Sequence, residues 1–339
     1  MGKLRAILVG AGGMGRAWGR NILECDDTEI AAWVDINIDA AVSAAGQLGL
    51  DGVVLTDDLR KAIADARPDF VVDVSVPAAH REVTVTSLEA GLPVIGEKPM
   101  AESMDDARAM VAASEKAGKL YMVSQSRRYD GRLAAYRKLI EGLGGPVGLL
   151  KSDFYIGAHF GGFRAEMASP LIVDMAIHTF DAARYLSGVD PVAVYCEESN
   201  PHWSWYQGNA SATAIFEMEG GLRYTYCGSW CGDGKPTSWE AEWRAHGPAG
   251  CATWDGVNAP AASITVDDTS FIRKTDDFTG AIDPNVPGGI AGSLRDFVNA
   301  LRTGSTPMGE CHDNIKSLAM VMAAVESARM GGRVSIKDV

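Results

Sequence analysis

The chain has 339 residues, 47% of them hydrophobic and 22% charged, an ordinary globular composition that excludes a disordered chain. Its 31 Lys and Arg residues face 44 Asp and Glu residues, and the net charge of −13 disfavours nucleic acid and anionic membrane surfaces as partners. No apolar run reaches the roughly 20 residues that a bilayer-spanning helix needs, so no membrane segment is expected.

The six cysteines form no C-x-x-C pair, and Cys227 and Cys231 have no second pair that would complete a structural zinc site. We therefore expect no metal. The pattern is typical of reduced thiols in a cytoplasmic protein. Glycines from position 10 onward interrupt the N-terminal apolar run too early for the core of a signal peptide.

Residues 1–123 alternate short apolar runs with helical patterns, which predicts a doubly wound parallel sheet of the Rossmann type. The predicted strands are Leu4–Val9, Ile30–Asp35, Val53–Leu55, Phe70–Val74, Val94–Gly96 and Leu120–Val123. The predicted helices are Met14–Cys25, Ala40–Leu48, Ala78–Ala90 and Ser103–Ala117, with a further helix start at Thr56 to Asp58.

Residues 124–339 follow a different pattern, which predicts a second domain of α+β type with a large, open, mostly antiparallel sheet. The predicted helices are Gly131–Glu141, Leu171–Leu186, Ile290–Leu301 and Asp313–Met330. Strands follow one another without intervening helices at Val192–Cys196, Ala210–Phe216, Leu222–Ser229, Ser238–Ala245 and Ala262–Val266.

The first strand is followed by Gly10-Ala-Gly-Gly-Met-Gly15, which fits the dinucleotide motif G-x-G-x-x-G at the start of a helix. Phosphates are favoured at such a helix N-terminus, because its N–H groups are unpaired and its dipole is positive there. Asp35 lies 20 residues after Gly15, where a carboxylate binds the ribose hydroxyls and repels a 2′-phosphate. These features predict NAD as the cofactor, with NADP disfavoured.

Two loops follow neighbouring predicted strands: Ser75-Val76-Pro77, and Glu97-Lys98-Pro99. Ligands of an open parallel sheet bind beyond the carboxyl ends of its strands, so both loops are expected near the nicotinamide half of the cofactor. An ammonium group such as that of Lys98 stabilises a developing alkoxide. A solvated charge or an ordinary ion pair is the alternative interpretation of this lysine.

Asp174 and His178 lie four residues apart in an apolar segment, on one face of the predicted helix. Burial of two polar groups costs free energy unless they have partners or a ligand. Histidine titrates near neutral pH and suits a general base. A His–Asp pair satisfied within the core is the alternative.

The G-x-G-x-x-G motif, Glu97-Lys98-Pro99 and Asp174-x-x-x-His178, in this order, resemble the Gfo/Idh/MocA family of NAD(P)-dependent sugar and polyol oxidoreductases. The resemblance implies that His178 removes the hydroxyl proton, that Lys98 contacts the substrate and tunes the acid–base group, and that Asp174 binds substrate or orients His178. It also places Asp181 near the substrate and Arg164 near the cofactor. The family's Gly-Gly-Gly stretch before the helix is replaced here by Ala168-Ser169-Pro170, so a different entry into the helix is expected.

Together these arguments predict three sets of site residues, with no metal among their ligands. The catalytic set is Lys98, His178 and Asp174. The cofactor-binding set is Gly10, Gly12, Gly13, Met14, Gly15, Asp35, Ile36, Ser75, Val76, Pro77, His80, Glu97, Lys98, Gln125 and Arg164. The substrate-binding set is Lys98, Arg128, Tyr155, His159, Asp174, His178, Asp181 and Trp230.

The resemblance implies an NAD-dependent dehydrogenase that acts on a CH–OH group. The expected substrate is an aldose oxidised at C1 to a lactone, a pentose similar to D-apiose. An inositol dehydrogenase and an NAD-dependent redox glycosidase are the alternatives. The resemblance and the many aromatic residues of the second domain also predict a homodimer or homotetramer.

Overall fold

The computed structural model describes residues 2–339, so that Met1 lies outside the described part of the chain. The helices are α1 to α10 in chain order: Gly13–Glu24, Ile38–Gln47, Leu59–Ala66, Pro77–Glu89, Met104–Ala117, Gly131–Glu141, Phe163–Glu166, Ile177–Ser187, Gly289–Thr303 and Cys311–Met330. The strands are β1 to β15: Leu4–Val9, Thr28–Val34, Val54–Thr56, Phe70–Asp73, Val94–Gly96, Tyr121–Val123, Leu149–Tyr155, Pro191–Ser199, Ser211–Met218, Arg223–Ser229, Glu242–Gly247, Gly250–Trp254, Ala261–Asp267, Lys274–Thr279 and Val334–Ser335.

The described chain forms two compact units, each with its own sheet. The first comprises residues 2–126 and Gly288–Ile315, and the second comprises Arg127–Pro287 and Lys316–Val339. The sequence-based division at 123/124 lies three residues before the structural one. None of the helices within residues 2–339 combines the length and the apolarity needed to cross a bilayer.

The first unit contains a six-stranded parallel sheet in the order β3-β2-β1-β4-β5-β6. This is the doubly wound order of dinucleotide-binding folds, and it confirms the predicted Rossmann sheet. The order reverses direction between β1 and β4. Ligands of such sheets bind at this switch point, beyond the carboxyl ends of the strands.

Residues 288–315, which the sequence pattern assigned to the second domain, return to the first unit. Phe297 of α9 packs on Phe70 of β4, with ring centroids 5.5 Å apart. Arg302 Nη1 donates to Asp27 Oδ1 at 2.7 Å, and the Val123 N–H donates to the carbonyl of Gly309 at 2.8 Å. Hydropathy patterning cannot reveal this return, because it depends on contacts between residues far apart in sequence.

The second unit contains a nine-stranded sheet in the order β14-β13-β12-β11-β7-β10-β9-β8-β15. Its strand pairs are antiparallel except for β7 with β10, which confirms the predicted mostly antiparallel sheet. One face is buried and the other is open to solvent. The strand register places a buried row across the sheet: Val194, Phe216, Tyr224, Leu150, Ala245 and Ala252.

Helix α8 covers the buried face, where Phe180 packs against Phe216, Tyr224 and Tyr226 with nearly perpendicular rings. Sequence patterning missed β7, β12, β14 and β15. Strand β7 buries Ser152 among apolar residues, where it shares a 2.8 Å hydrogen bond with the Tyr224 hydroxyl, so its alternation of apolar and polar residues is weak. Strand β14 is exposed along its whole length and carries no apolar face.

The predicted helix Leu171–Leu186 is continuous, but its first part, Leu171–Ala176, is a π-helix that leads into α8. Such π-turns are rare and often mark functional sites. The predicted strand Ser238–Ala245 begins later, at Glu242, because residues around Glu240 form a turn.

Candidate active site

In the first unit, β1 ends in the glycine turn that leads into α1. Gly10 has a φ of +103°, and a Cβ on it would lie 2.5 Å from the carbonyl oxygen of Val74. A Cβ on Gly15 would lie 2.0 Å from the carbonyl oxygen of Gly10, so only glycine lets the helix approach the strand this closely. Gly12 and Gly13 face open space.

The N-terminus of α1 is available to an anion. Gly12 occupies its N-cap position without a side-chain cap, and its first turn contains no acidic residue. The unpaired N–H groups and the positive end of the helix dipole therefore remain for a phosphate group. Met14 is 48% exposed beside them.

Asp35 follows β2 and connects two loops at this edge of the sheet. Its Oδ2 accepts from the Ala11 N–H at 2.7 Å, and its Oδ1 accepts from the Asn37 N–H at 2.8 Å. The carboxylate is thus held beside the glycine turn, where the dinucleotide fingerprint requires it. Its neighbour Ile36 is almost fully exposed.

The loop at Ser75 is held by hydrogen bonds to Asp73, a buried carboxylate that sequence reasoning missed. Asp73 Oδ1 accepts from the Ser75 hydroxyl at 2.6 Å and from its N–H at 3.1 Å, and Oδ2 lies 3.0 Å from His80 Nδ1. Burial lowers the pKa of His80, but the charge and hydrogen bond of Asp73 outweigh it and leave the pKa raised. In the sequence, Asp73 could have been recognised as an acidic residue at the end of an otherwise apolar strand.

This contact changes the interpretation of His80, which was predicted to bind the cofactor. Its ring is 2% exposed and faces Asp73. This position lets His80 stabilise Asp73, which in turn holds the loop at Ser75. Val76 is exposed as the N-cap of α4, and Pro77 is the first helical residue.

Glu97 and Lys98 follow β5, two strands from β1 in the sheet order. Glu97 Oε1 accepts from the indole Nε1 of Trp18 at 2.7 Å, and Oε2 accepts from the Lys98 N–H at 3.1 Å. Burial raises the pKa of Glu97, whereas the Trp18 hydrogen bond and the Lys98 charge lower it in part. Trp18, a second residue that sequence reasoning missed, thus fixes the carboxylate beside the lysine.

Ser124 and Gln125 follow β6 and are both about 1% exposed. Neither Ser124 Oγ nor Gln125 Nε2 has a hydrogen-bond partner within residues 2–339. An unsatisfied buried donor costs free energy, so such atoms are expected where a ligand supplies the missing partner. The place of Gln125 in the cofactor set stays a prediction.

In the second unit, Asp174 lies in the π-helical turn and His178 in the first turn of α8. Asp174 is buried and His178 is half-buried. Arg164 Nε, on α7, donates to Asp174 Oδ2 at 2.5 Å. The structure therefore gives Arg164, predicted near the cofactor, a partner in the segment that carries Asp174 and His178.

Two exposed aromatic rings hold this arginine. The Arg164 guanidinium carbon lies 4.7 Å from the ring centroid of Phe163 and 5.4 Å from that of Phe160. Cation–π contacts of this kind orient a guanidinium group without neutralising it. Sequence reasoning missed both phenylalanines, although aromatic residues on either side of a Gly-Gly pair were visible.

Arg128 and Asp181, both predicted to bind substrate, bind each other. Arg128 Nε and Nη2 donate to the two oxygens of Asp181 at 2.7 and 2.6 Å, and the Ser317 hydroxyl donates to Asp181 Oδ1 at 2.7 Å. Both side chains are buried. Three of the roughly four acceptor positions of the Asp181 carboxylate are thus occupied, which favours a structural role for this pair, and its contact with substrate stays a prediction.

The prediction for Tyr155 needs a correction. Its register partner is Ser229, and its hydroxyl lies 2.9 Å from Cys227 Sγ on the open face of the sheet. Helix α8 packs on the opposite face. Because alternate residues of a strand point to opposite faces, Tyr155 does not share a pocket with Asp174 and His178.

The other two predicted substrate residues lie in aromatic contacts. His159 stacks on Trp205 with centroids 3.6 Å apart, and its Nε2 lies 3.8 Å from Asp233 Oδ1. Trp230 is fully buried and stacks on Tyr206 at 5.4 Å. Within residues 2–339 its indole Nε1 has no hydrogen-bond partner.

Two family models match the chain. "Oxidoreductase family, NAD-binding Rossmann fold" matches residues 4–125, and "GFO/IDH/MocA C-terminal domain" matches residues 106–253. Together they cover both sheets' central strands and more than two thirds of the chain. The chain belongs to the Gfo/Idh/MocA oxidoreductase family.

Individual relatives agree with this assignment. The D-apiose dehydrogenase of Paraburkholderia graminis is 27% identical over 99% of this chain and 90% of its own length. An inositol 2-dehydrogenase of Corynebacterium glutamicum is 32% identical over 65% of each protein. An oxidoreductase from Agrobacterium radiobacter, crystallised with NAD⁺, L-tartaric acid and magnesium, matches 99% of both chains with a TM-score of 0.87 at 22% identity, which shows the shared fold.

Family membership makes the first unit an NAD-binding domain, and its residues fit that cofactor. The glycine turn leaves room that a Cβ would fill, the N-terminus of α1 is uncapped, and Asp35 is fixed at the end of β2. The protein is thus an NAD-dependent oxidoreductase of a family that acts on CH–OH groups of sugars and polyols.

Proposed function

We propose that the protein oxidises an aldose at C1 to its lactone, with a pentose similar to D-apiose as substrate. Within the family, the match to a D-apiose dehydrogenase extends over nearly the whole of both chains, which supports this substrate class. The observation that carries the dehydrogenase chemistry is Asp174, a charged residue that Arg164 of α7 holds in an otherwise apolar segment, four residues before His178.

In the proposed mechanism, NAD held by the glycine turn and Asp35 would supply the acceptor for the hydride of the substrate carbon. His178 takes the proton of the hydroxyl group as the carbonyl forms, so that the C–H and O–H bonds break together with formation of the C=O double bond. Lys98 stabilises the negative charge that develops on the oxygen. Glu97, held by Trp18, positions the backbone of Lys98.

Asp174 acts in this proposal as a binding and orienting group and not as the base. Its Oδ2 is bonded to Arg164, which favours the ionised carboxylate. An ionised carboxylate accepts hydrogen bonds from substrate hydroxyls or from an imidazole ring. His178 remains the group suited to proton transfer near neutral pH.

A polyol such as inositol is the second candidate substrate. It is favoured by the higher identity to an inositol 2-dehydrogenase, although that match extends over only 65% of each protein. The two candidates differ in the product, because an inositol yields a ketone and an aldose oxidised at C1 yields a lactone. The redox glycosidase stays an untested alternative.

The test is NADH absorbance with purified protein, NAD and a panel of aldoses, inositols and sugar acids. We expect NADH formation with a pentose, and a lactone product by mass spectrometry. His178→Ala and Lys98→Ala should each lower kcat by about 10²–10⁴-fold while NAD still binds. His246→Ala, an exposed histidine on β11, serves as the matched control and should retain activity.

Three outcomes would contradict the proposal. Full turnover in His178→Ala would remove the proposed base. Faster NADH formation with inositols than with aldoses would favour the polyol as the substrate. Tightly bound NAD without NADH formation, combined with hydrolysis of a glycoside, would favour the redox glycosidase.

We infer further that the enzyme works in the cytoplasm as a homodimer or homotetramer. All six cysteines, which lie within the described residues, are thiols, as expected in a reducing compartment. The open sheet face described above offers a surface for self-association.

A further inference from the structure

A set of three different metal-binding side chains stands at the start of α10, in the first unit. Glu310 Oε1, Cys311 Sγ and His312 Nδ1 all lie within 4.8 Å of one another. Glu310 Oε1 is 2.7 Å from His312 Nδ1 and 3.0 Å from Cys311 Sγ, and Cys311 Sγ is 3.5 Å from His312 Nδ1. A carboxylate, a thiol and an imidazole thus converge on one point.

The backbone that carries these side chains is fixed. Gly309 has a φ of +86°, and a Cβ on it would lie 2.4 Å from the carbonyl oxygen of Val123. The Val123 N–H donates to the Gly309 carbonyl at 2.8 Å, and Glu310 forms a bridge with Met122 of β6. The segment therefore lies along the edge of the six-stranded sheet. These contacts fix the backbone from which the three donor side chains extend.

Glu115 of α5 contacts the outer nitrogen of the same histidine. Its Oε1 lies 3.0 Å from Nε2 of His312, the ring nitrogen that faces away from the cluster. A carboxylate on the outer nitrogen is the usual companion of a metal-binding histidine, because it fixes the ring and directs the other nitrogen inward. Here it directs Nδ1 toward Glu310 and Cys311.

We propose that Glu310, Cys311 and His312 bind one Zn²⁺ ion, with water as the fourth ligand. Thiolate and imidazole ligands favour zinc over Mg²⁺ or Ca²⁺, which prefer oxygen alone. Ligand bonds of about 2.0–2.3 Å in a tetrahedron separate donors by roughly 3.3–3.8 Å, so the present donors move apart by a few tenths of an ångström, most at Glu310. Binding releases two protons, that of the Cys311 thiol and that between His312 Nδ1 and Glu310 Oε1. The thiolate and the carboxylate then balance the ion's two charges.

The site is structural and not part of the dehydrogenase chemistry. It lies at the β6 edge of the sheet, and β4 and β5 separate β6 from β1, which leads into the glycine turn. Through the His312–Glu115 contact, the ion ties the start of α10 to α5. The His312 side chain is 53% exposed and gives the ion a route in, whereas Cys311 is buried.

Cobalt is the probe for this site, because a cobalt–thiolate bond has its own charge-transfer absorption and tetrahedral cobalt has intense ligand-field bands. The full chain is stripped with a chelator and titrated with Co²⁺, and Zn²⁺ is then added in competition. We expect one equivalent of Co²⁺ with both signatures, displaced by Zn²⁺. Glu115→Gln should weaken binding by about 10–100-fold.

Variants locate the site and separate metal loss from unfolding. Cys311→Ser and His312→Ala should both abolish the bands, and His312→Ala, at an exposed position, tests the site even if the buried Cys311→Ser does not fold. Cys227→Ser, a half-buried cysteine of the second unit, is the matched control and should leave the bands unchanged. Zinc should also raise the Tm of the wild-type chain and not that of His312→Ala.

The proposal fails if no thiolate band forms, which would leave three hydrogen-bonded side chains without a metal. It also fails if the band persists in His312→Ala or disappears in Cys227→Ser. Dehydrogenase activity plays no part in these readouts, so the outcome is independent of the substrate proposed above.

Discussion

Glu198 on β8 is half-buried and lies beside Ser169, just before the segment that carries Asp174 and His178. Its Oε2 accepts from the hydroxyl of Ser169 at 2.9 Å, and its Oε1 is buried with no partner within residues 2–339. Burial raises the pKa of Glu198 to about 7. Because the folded state holds the proton more tightly than the unfolded state, stability declines as the pH rises from about 4.5 through about 7.

We therefore predict that Glu198→Gln raises the free energy of unfolding by about 1–2 kcal/mol above neutral pH, and that the gain disappears near the pKa of an ordinary glutamate. Urea unfolding at two pH values measures this difference. Glu197→Gln, the exposed neighbour on the opposite face, is the control and should show no such pH dependence. An equal effect of Glu198→Gln at both pH values would refute the prediction.

A second prediction for a single residue concerns Asp181. Asp181→Asn removes the carboxylate that pairs with the buried guanidinium group of Arg128, so the free energy of unfolding should fall by about 3–5 kcal/mol. A residue that only binds substrate would instead raise KM with unchanged stability. Denaturant unfolding and KM measured on the same samples distinguish the two roles, with the exposed Asp276→Asn of β14 as the control.

At the level of secondary-structure elements, the turn between β1 and α1 depends on a close contact between the strand and the helix. Gly15→Ala places a methyl group 2.0 Å from the carbonyl oxygen of Gly10, so we predict a loss of about 1–3 kcal/mol in the free energy of unfolding. Thermal unfolding without cofactor measures this loss. Gly13→Ala is the matched control, because its Cβ enters open space and alanine favours a helix. Equal stability of the two variants would contradict this account of the turn.

At the scale of the whole molecule, the nine-stranded sheet has an exposed face that mixes apolar, polar and charged side chains. The register places Tyr195 beside Ile215, and the row continues through Thr225 and Lys151 to Arg244. Tyr195 and Ile215 remain about half exposed. We infer that this apolar pair lies in the interface of the proposed homo-oligomer.

Ile215→Arg should therefore dissociate the proposed homo-oligomer, because it places a charge in the middle of that apolar pair. Light scattering of the eluted protein measures the mass, which should fall to the 36.0 kDa of one chain. Leu23→Arg, at an exposed position of α1, is the control. A wild-type chain that already elutes at 36.0 kDa would exclude the homo-oligomer.

The sequence by itself determined those features that depend on residue types at a fixed spacing within a short stretch of chain. The glycine turn at residues 10–15, the acidic residue that closes β2 and the alternation of strands with helices define the NAD-binding domain without tertiary information. Lys98, Asp174 and His178 were also found in this way, from residue types in a fixed order. Their catalytic roles stay predictions.

Tertiary structure decided every point that depends on residues distant in sequence. It turned Arg128 and Asp181, 53 residues apart, into a buried ion pair, placed Tyr155 on the far face of the sheet from α8, and returned residues 288–315 to the first unit. A sequence pattern reports which groups are polar or apolar, but not which partner satisfies a buried charge. That choice is made by chain topology, because Arg128 and Ser317 reach Asp181 only in the folded chain, where they occupy three of the roughly four acceptor positions of its carboxylate.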